Sequence, residues 1–365
     1  MSESPDAENP RERSGQQAVD FAIHSANLLM GWLPGRETSL RGKTVLEVGP
    51  GQDFGMPLIL MGFGARTILV DRYLCDWDST FHPTYYRQLR EAVVGRFPGI
   101  DTSPLDQVIK AGSHVADGMT LLRTGLECIH EVPQGSVDVS YSNAVFEHLE
   151  GVHAAVHQLA RITRQGGSGF HQVDFRDHRD FNRPLEYLTI ARSELEVFCK
   201  NNLWWYGNAM RYGEFQTCFE VAGFNTRFEP NLFADEDYVR DIQLRADRQY
   251  RDMPLDAFRV LGGRFYLERT KQAYSTNGSD GRERYLWNCL VDLDTRLIAA
   301  HDRISKLESC SESDGAEGKL TRARQQLAAR GRQLRRHERW GAHHVVRLAK
   351  AVRQWLRKVR NLFGK

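Results

Sequence analysis

The chain has 365 residues, 41% of them hydrophobic, which is enough for a substantial core and a length that suits one catalytic-sized domain with an appendage. No run of about 18 consecutive apolar residues is present, which excludes a membrane-spanning helix. The six cysteines are scattered without a C-x-x-C pair, so thiols are expected rather than a disulfide framework or a zinc site. The net charge of +2 is unevenly held: residues 319–365 carry fifteen Lys or Arg against one acid, Glu338. That is a tail of +14 on a body of −12, a distribution directed at an anionic surface.

In chain order, residues 1–15 are polar and acidic and read as a disordered leader of a cytoplasmic protein. Residues 16–33 have the spacing of an amphipathic helix, and residues 35–42 form the loop that leaves it. Short β-branched runs at 44–48 and 67–70 end in a Gly-Pro-Gly turn and in Asp71, respectively. A third run, 136–141, leads through Ser142-Asn143 into a helix ending at Leu149. Residues 153–164 are helical, stop at Gln165-Gly166-Gly167, and are followed by a strand over 169–175. Apolar strands joined by helical crossovers predict an α/β fold, a doubly wound and mostly parallel sheet with helices on both faces.

Beyond this point the pattern turns helical and aromatic over 181–215, including Trp204-Trp205-Tyr206, and a late run at 259–269 is positioned to close the sheet. The predicted domain thus spans 16–273, and 274–282 is a polar linker. Over 283–309, Leu286, Leu290, Leu293, Leu297, Ala300, Ile304 and Leu307 alternate in steps of four and three, the a/d pattern of a coiled coil. Residues 310–318 break that helix. Residues 319–365 form a basic amphipathic helical tail with Val345, Leu348, Val352, Trp355, Val359 and Phe363 on one stripe.

The run Val45-Leu46-Glu47-Val48-Gly49-Pro50-Gly51 is the first with chemistry in it. A strand turning through Gly-x-Gly lets backbone N–H groups approach a ligand closely. A dinucleotide site would want a third small residue at position 54, where this chain has Phe54, and would gain nothing from Glu47. An ammonium-bearing ligand explains that acid better. Asp71, about twenty residues past Gly51, is placed to accept the hydroxyls of a ribose.

These residues resemble motif I of the class I S-adenosylmethionine-dependent methyltransferases. The segment 137–149, with Glu147-His148, is similar to that family's fourth strand and following turn, and 159–167 to the helix and Gly-Gly before its fifth. The resemblance covers roughly residues 16–270 and departs at Asp53, where many members have Gly. It implies a Rossmann-like sheet, S-adenosyl-L-methionine as cofactor, Glu47 near the methionine amino group, and Gly49, Pro50 and Gly51 under the cofactor. It further implies Asp71, with Arg72 beside it, at the ribose, Asn143 lining the transfer site, and Asp117 near the adenine amine with Glu127 as its rival.

The acceptor is less directly readable. Base N-methylation is disfavoured because Ser142-Asn143-Ala144-Val145 lacks the Asn/Asp-Pro-Pro-aromatic turn. Methylating a hydroxyl needs a base, or a metal that lowers the hydroxyl pKa. Asp174, Arg176 and His178 share one side of the exit from the fifth strand, so His178, Asp174 and His148 are the catalytic candidates. No metal ligand set is assigned, and a metal held by Asp174 and His178 is a minor alternative. Methyltransferases of bacterial surface-sugar and small-molecule pathways resemble this chain in the Asp-x-x-Asp-His run and in a later Asn-x-x-Arg, here Asn208 and Arg211.

The expected function is therefore O-methylation of a sugar hydroxyl in a cell-surface polysaccharide or glycolipid. The alternatives are a small-molecule O-methyltransferase and a cofactor-binding scaffold. The apolar stripe of the tail favours the cytoplasmic face of an anionic membrane over nucleic acid, and the coiled coil favours a homo-oligomer.

Overall fold

The computed structural model describes residues 15–33, 40–191, 194–195 and 207–270. The coiled-coil segment, the basic tail, the leader and Trp204-Trp205-Tyr206 lie outside the described residues.

The element order is α1 (Gly15–Trp32), β1 (Thr44–Val48), α2 (Gly55–Gly62), β2 (Arg66–Val70), α3 (His82–Arg96), α4 (Ser103–Ala111), β3 (Met119–Leu122), β4 (Val137–Asn143), α5 (Val152–Ile162) and β5 (Thr163–Asp174). Then follow α6 (Tyr212–Val221), β6 (Phe224–Phe233), α7 (Glu236–Arg245) and, after two single-turn helices, β7 (Val260–Arg269). The strands form one seven-stranded sheet in the order β3-β2-β1-β4-β5-β7-β6. The pairs β1–β2, β2–β3, β1–β4 and β4–β5 are all parallel. This is the Rossmann-like, doubly wound α/β class, with strand order reversing at β1/β4, where ligands bind at the carboxyl ends of strands.

The chain divides into two compact units. One holds the described residues up to 145 with 161–172 and 266–269. The other holds 146–160, the described part of 173–265, and Thr270.

In the first unit, β1 is Thr-Val-Leu-Glu-Val with all but its first residue buried, as a strand covered on both faces requires. Helix α2 is apolar all round and buried from Gly55 to Met61. Its Pro57 sits in the first turn, where a missing N–H costs little. Helix α4 carries Pro104 in its first turn and ends on Gly112 at φ +59°, the left-handed cap that glycine supplies. The core joins Val19, Ala22 and Leu29 of α1 to Ile59 and Leu60 of α2 and to Tyr86 and Leu89 of α3. Burial of this face holds the sheet and helices together, at roughly 25 cal/mol per Å² of apolar surface removed from water.

The second unit has its own core, in which Leu185, Tyr187 and Leu188 pack with Val239 and Ile242 of α7 and with Phe258 and Leu261. Helix α7 is capped by Asp235, whose Oδ1 accepts from the N–H groups of Asp237 (3.0 Å) and Tyr238 (3.1 Å).

Three expectations change. Ser142 and Asn143 belong to β4 itself, and only a 3₁₀ turn, Phe146–His148, follows instead of a helix to Leu149. The chain reverses into that turn through Ala144, which takes φ +54°. Strand β5 begins at Thr163, before the Gly-Gly: Thr163 pairs with Val137 and Ser168 with Val139, so residues 164–167 bulge out between them, with Gly166 at φ +70°. Strand β3 and helices α2 to α4 have no counterpart among the expected elements; β3 is four residues long and has no buried residue.

Among the described residues no helix is long and apolar enough to cross a membrane. Cys75, Cys128 and Cys218 form no disulfide.

Candidate functional site

In the first unit the carboxyl ends of the strands are level. Val48 pairs with Val70 and with Ser142, and Val70 pairs with Leu122. Glu47, one residue from the end of β1, is buried, and its Oε2 has no hydrogen-bond partner. Burial, and then the charge of Asp53, push its carboxyl up to about 8. A carboxylate in such a place is costly unless a cation completes it. The turn above it is built from glycines that cannot be replaced freely. Gly49 has φ +69°, donates its N–H to the Val70 carbonyl at 2.9 Å, and leaves no room for a Cβ against the Val145 side chain. Gly51 has φ +78°, and a Cβ there would meet nothing within 4 Å. Pro50 between them is half-buried. Asp53, the departure from the family pattern, accepts from the N–H of Gly55 (3.0 Å) and from the Tyr85 hydroxyl, bracing the start of α2.

Asp71 follows β2 directly, its N–H donating to the Leu122 carbonyl at 3.2 Å. Its Oδ1 accepts from the Tyr73 N–H at 2.7 Å, and burial raises its pKa against that bond. The next residue, Arg72, forms an ion pair with Glu127, with Nε 3.1 Å from Oε1. Glu127 is buried and its Oε2 has no partner.

Asp117 and Glu127, the two candidates for the adenine side, lie at different ends of β3. Asp117 is exposed, precedes β3 at the amino end of the sheet, and its N–H donates to Gln107 Oε1 at 2.7 Å. Glu127 follows the carboxyl end of β3. Asn143 ends β4, half-buried and in register with Gln172. His171, beside it on β5, is fully buried between Ser140 Oγ (3.1 Å) and Ser142 Oγ (2.8 Å). Burial pushes its pKa down to about 3, so it is a neutral core residue.

The catalytic candidates gather in the second unit. Asp174 forms a two-point pair with Arg176 (Nη2–Oδ2 2.8 Å, Nε–Oδ1 3.0 Å), and Asp174 Oδ2 lies 3.5 Å from His178 Nε2. Burial opposes ionisation of Asp174, but His178 and Arg176 outweigh it and hold the carboxyl well below the usual range. The rings of His148 and His178 lie edge to face, 5.0 Å between centroids. Glu147, which the sequence reading left without a role, is buried. Its Oε1 accepts from the Asp174 N–H at 3.2 Å, and Oε2 has no partner. Burial, and then Asp174, raise its pKa well above the carboxylate range. Asp177 is taken up by a bidentate pair with Arg179.

Asn208 and Arg211 serve this cluster as supports. Asn208 Nδ2 donates to the carbonyls of Phe146 (2.8 Å) and Leu149 (3.1 Å), and its N–H donates to the Glu147 carbonyl at 2.5 Å. Gly207, at φ +58°, approaches so closely that a Cβ would lie 2.8 Å from that same carbonyl. The turn carrying Glu147 and His148 is therefore clamped through its backbone. Arg211 is fully buried and donates to the Tyr187 hydroxyl (3.1 Å) and the carbonyls of Phe258 (2.9 Å) and Val260 (2.5 Å). It is a structural cation that ties loops together, with no access to a substrate.

Residues 84–170, from α3 into β5, match the family model described as a methyltransferase domain. No curated protein sequence matches the chain. Among solved structures, the chain is similar to a Haloferax volcanii protein described as a putative methyltransferase in complex with the Trm112 activator (12% identity, 72% of this chain and 96% of that one, TM-score 0.39). It is also similar to geranyl diphosphate C-methyltransferase from Streptomyces coelicolor (12%, 70% and 83%, TM-score 0.41) and to the YcgJ protein of Bacillus subtilis (14%, 68% and 99%, TM-score 0.36). Likenesses this partial have no bearing on the acceptor.

Proposed function

We propose that this chain is an S-adenosylmethionine-dependent methyltransferase acting on a hydroxyl of a cell-surface glycan or glycolipid. One observation carries the first part: the buried, unpartnered Glu47 oxygen beneath a Gly49–Gly51 turn that has open space at Gly51. The match of residues 84–170 to a methyltransferase domain supports the same reading.

The cofactor is S-adenosylmethionine, which supplies an electrophilic methyl on a sulfonium. The residues present fit it. Glu47 accepts from the amino group, so a buried negative charge acquires its cation. The backbone at Gly49 and Gly51 lies close under the ligand, where a side chain would intrude. Asp71 accepts the ribose hydroxyls, and Glu127, held by Arg72, takes the adenine side. Asn143 lines the transfer position.

The acceptor hydroxyl must lose its proton as the new C–O bond forms, and that task falls to His178, Asp174 and His148. Asp174 orients the imidazole of His178, and Arg176 keeps Asp174 ionised so that it can do so. The sugar acceptor is motivated by the Asp-x-x-Asp-His run and by the cationic, apolar-striped tail, which together suit a substrate assembled at a membrane.

The test is incubation of the full chain with methyl-labelled cofactor and fractionated glycolipids, polysaccharide precursors and quinones. Label in the glycan fraction, lost with His178→Ala, supports the reading. Label in the quinone or another small-molecule fraction replaces the acceptor. Cofactor binding without transfer to any fraction leaves a scaffold.

A further inference from the structure

We propose that Glu147, His148 and His178 bind one divalent transition-metal ion. One ligand atom from each of the three side chains lies within 4.8 Å of the others, so small side-chain rotations bring all three onto one ion. Two imidazoles and one carboxylate are the donor set that holds zinc, manganese, cobalt or ferrous iron while leaving coordination positions open.

Four features of the second unit support a built site over a chance cluster. Glu147 is buried, yet only one of its two oxygens is used, for the Asp174 N–H; Oε2 is left without a donor. Buried carboxylates are ordinarily paired or bound to metal, and the nearby cation, Arg176, is already committed to Asp174. His148 and His178 are only partly buried, so an ion can enter from their side. The ligands are preset by their surroundings. Asn208 and Gly207 fix the backbone of the Glu147–His148 turn, and Asp174 stands against His178, the carboxylate–imidazole contact that orients metal-bound histidines.

A second cluster also has suitable residues. Cys75, His82 and His114 also lie within ligand distance of one another. In it His82 Nδ1 accepts from the Asp78 N–H (2.7 Å) and its Nε2 bonds the Gln52 carbonyl (2.9 Å), while His114 bonds Tyr86 and Cys75. Those imidazoles are spent on hydrogen bonds within the fold.

The role of the ion rests on the methyl-transfer reading. A hydroxyl bound at an open position would have its pKa lowered and would lose its proton to solvent; the new C–O bond would form as the methyl–sulfur bond of S-adenosylmethionine breaks, S-adenosylhomocysteine would leave, and His178 would act as a ligand in place of a free base. The site itself is independent of that reading and is tested without cofactor or acceptor.

The full chain, stripped with EDTA and dialysed, is titrated with Co²⁺ and followed by its visible d–d absorption. One tight equivalent is expected, with affinity at least about 100-fold lower in Glu147→Gln and in His178→Ala and unchanged in Cys75→Ser. Because either substitution could unfold the turn, melting of each variant is recorded. Crystals of the unaltered chain soaked in Co²⁺ and measured at its absorption edge give a second readout, with a peak expected among the three side chains. Absence of a stoichiometric site, a site that survives both substitutions with native melting, or one lost with Cys75→Ser would overturn the proposal.

Discussion

Glu47 shows what single residues contribute, because its burial makes a definite statement about pH. A carboxyl whose folded pKa is raised above its unfolded value favours the folded state in its protonated form. Its contribution is present below about 4.5 and is lost as pH rises toward about 8. Binding an ammonium requires the ionised form, so below pH 8 the free protein must release a proton when the cofactor binds. Affinity for S-adenosylhomocysteine should therefore rise up to about tenfold per pH unit between pH 6 and 7.5 and level off above about 8, where Glu47 is already ionised in the free protein. In Glu47→Gln the slope should vanish and affinity at pH 8 should fall by at least tenfold; calorimetry across that range checks both. Residue identity was readable here because Glu47 conflicts with a phosphate-binding turn. The choice between Asp117 and Glu127 stayed open, since the end of a strand on which an acid sits cannot be judged when β3 itself is not recognised. Glu147 was legible as a motif residue but not as a buried orphan, because hydrogen-bond satisfaction is a property of packing.

At the scale of elements, the β1–turn–α2 unit and the clamp on the Phe146–His148 turn make separable predictions. Gly49→Ala meets two penalties, a left-handed φ of about 1–2 kcal/mol and overlap with Val145, and should lower Tm by several degrees as well as weaken cofactor binding. Gly51→Ala meets only the first, so it should melt within a few degrees of the parent while losing affinity, because its Cβ points into the space a ligand needs. Thermal melts with and without ligand distinguish the two. Arg211→Leu should cost at least about 3 kcal/mol, since several buried carbonyls lose their donor together, and denaturant unfolding measures it. Strands β1 and β2 were evident from β-branched runs ended by turn residues, and α1 from its periodicity. The bulge at 164–167 was not, because Gly-Gly signals a turn equally well inside a strand and before one. The Asn208 and Arg211 pattern pointed toward function, yet its residues act on backbone carbonyls, which a sequence does not display.

At the scale of the whole molecule, charge is the property that the folded elements do not explain. An acidic body of −12 and a tail of +14 leave the chain nearly neutral, and we propose that the tail binds an anionic surface. On that proposal each basic residue near an anionic surface would contribute about 1 kcal/mol. Truncation after Gly318 should abolish co-sedimentation with anionic liposomes and leave cofactor binding intact. Equal sedimentation of the truncated chain would remove the membrane from the account. The parallel sheet and the carboxyl-end location of Glu47, Gly49, Gly51 and Asp71 hold whatever the tail contacts.

The central claim, that the turn after β1 holds S-adenosylmethionine, meets its most direct test in titration calorimetry of S-adenosylhomocysteine into the full chain and its Asp71→Ala variant. The account predicts one site per chain and, with two charged hydrogen bonds to the ribose lost at about 1.5 kcal/mol or more each, binding at least about 100-fold weaker in the variant, whose Tm falls by only a few degrees for the lost Tyr73 N–H bond. No heat of binding in the parent, or equal affinity in the two proteins, would contradict it.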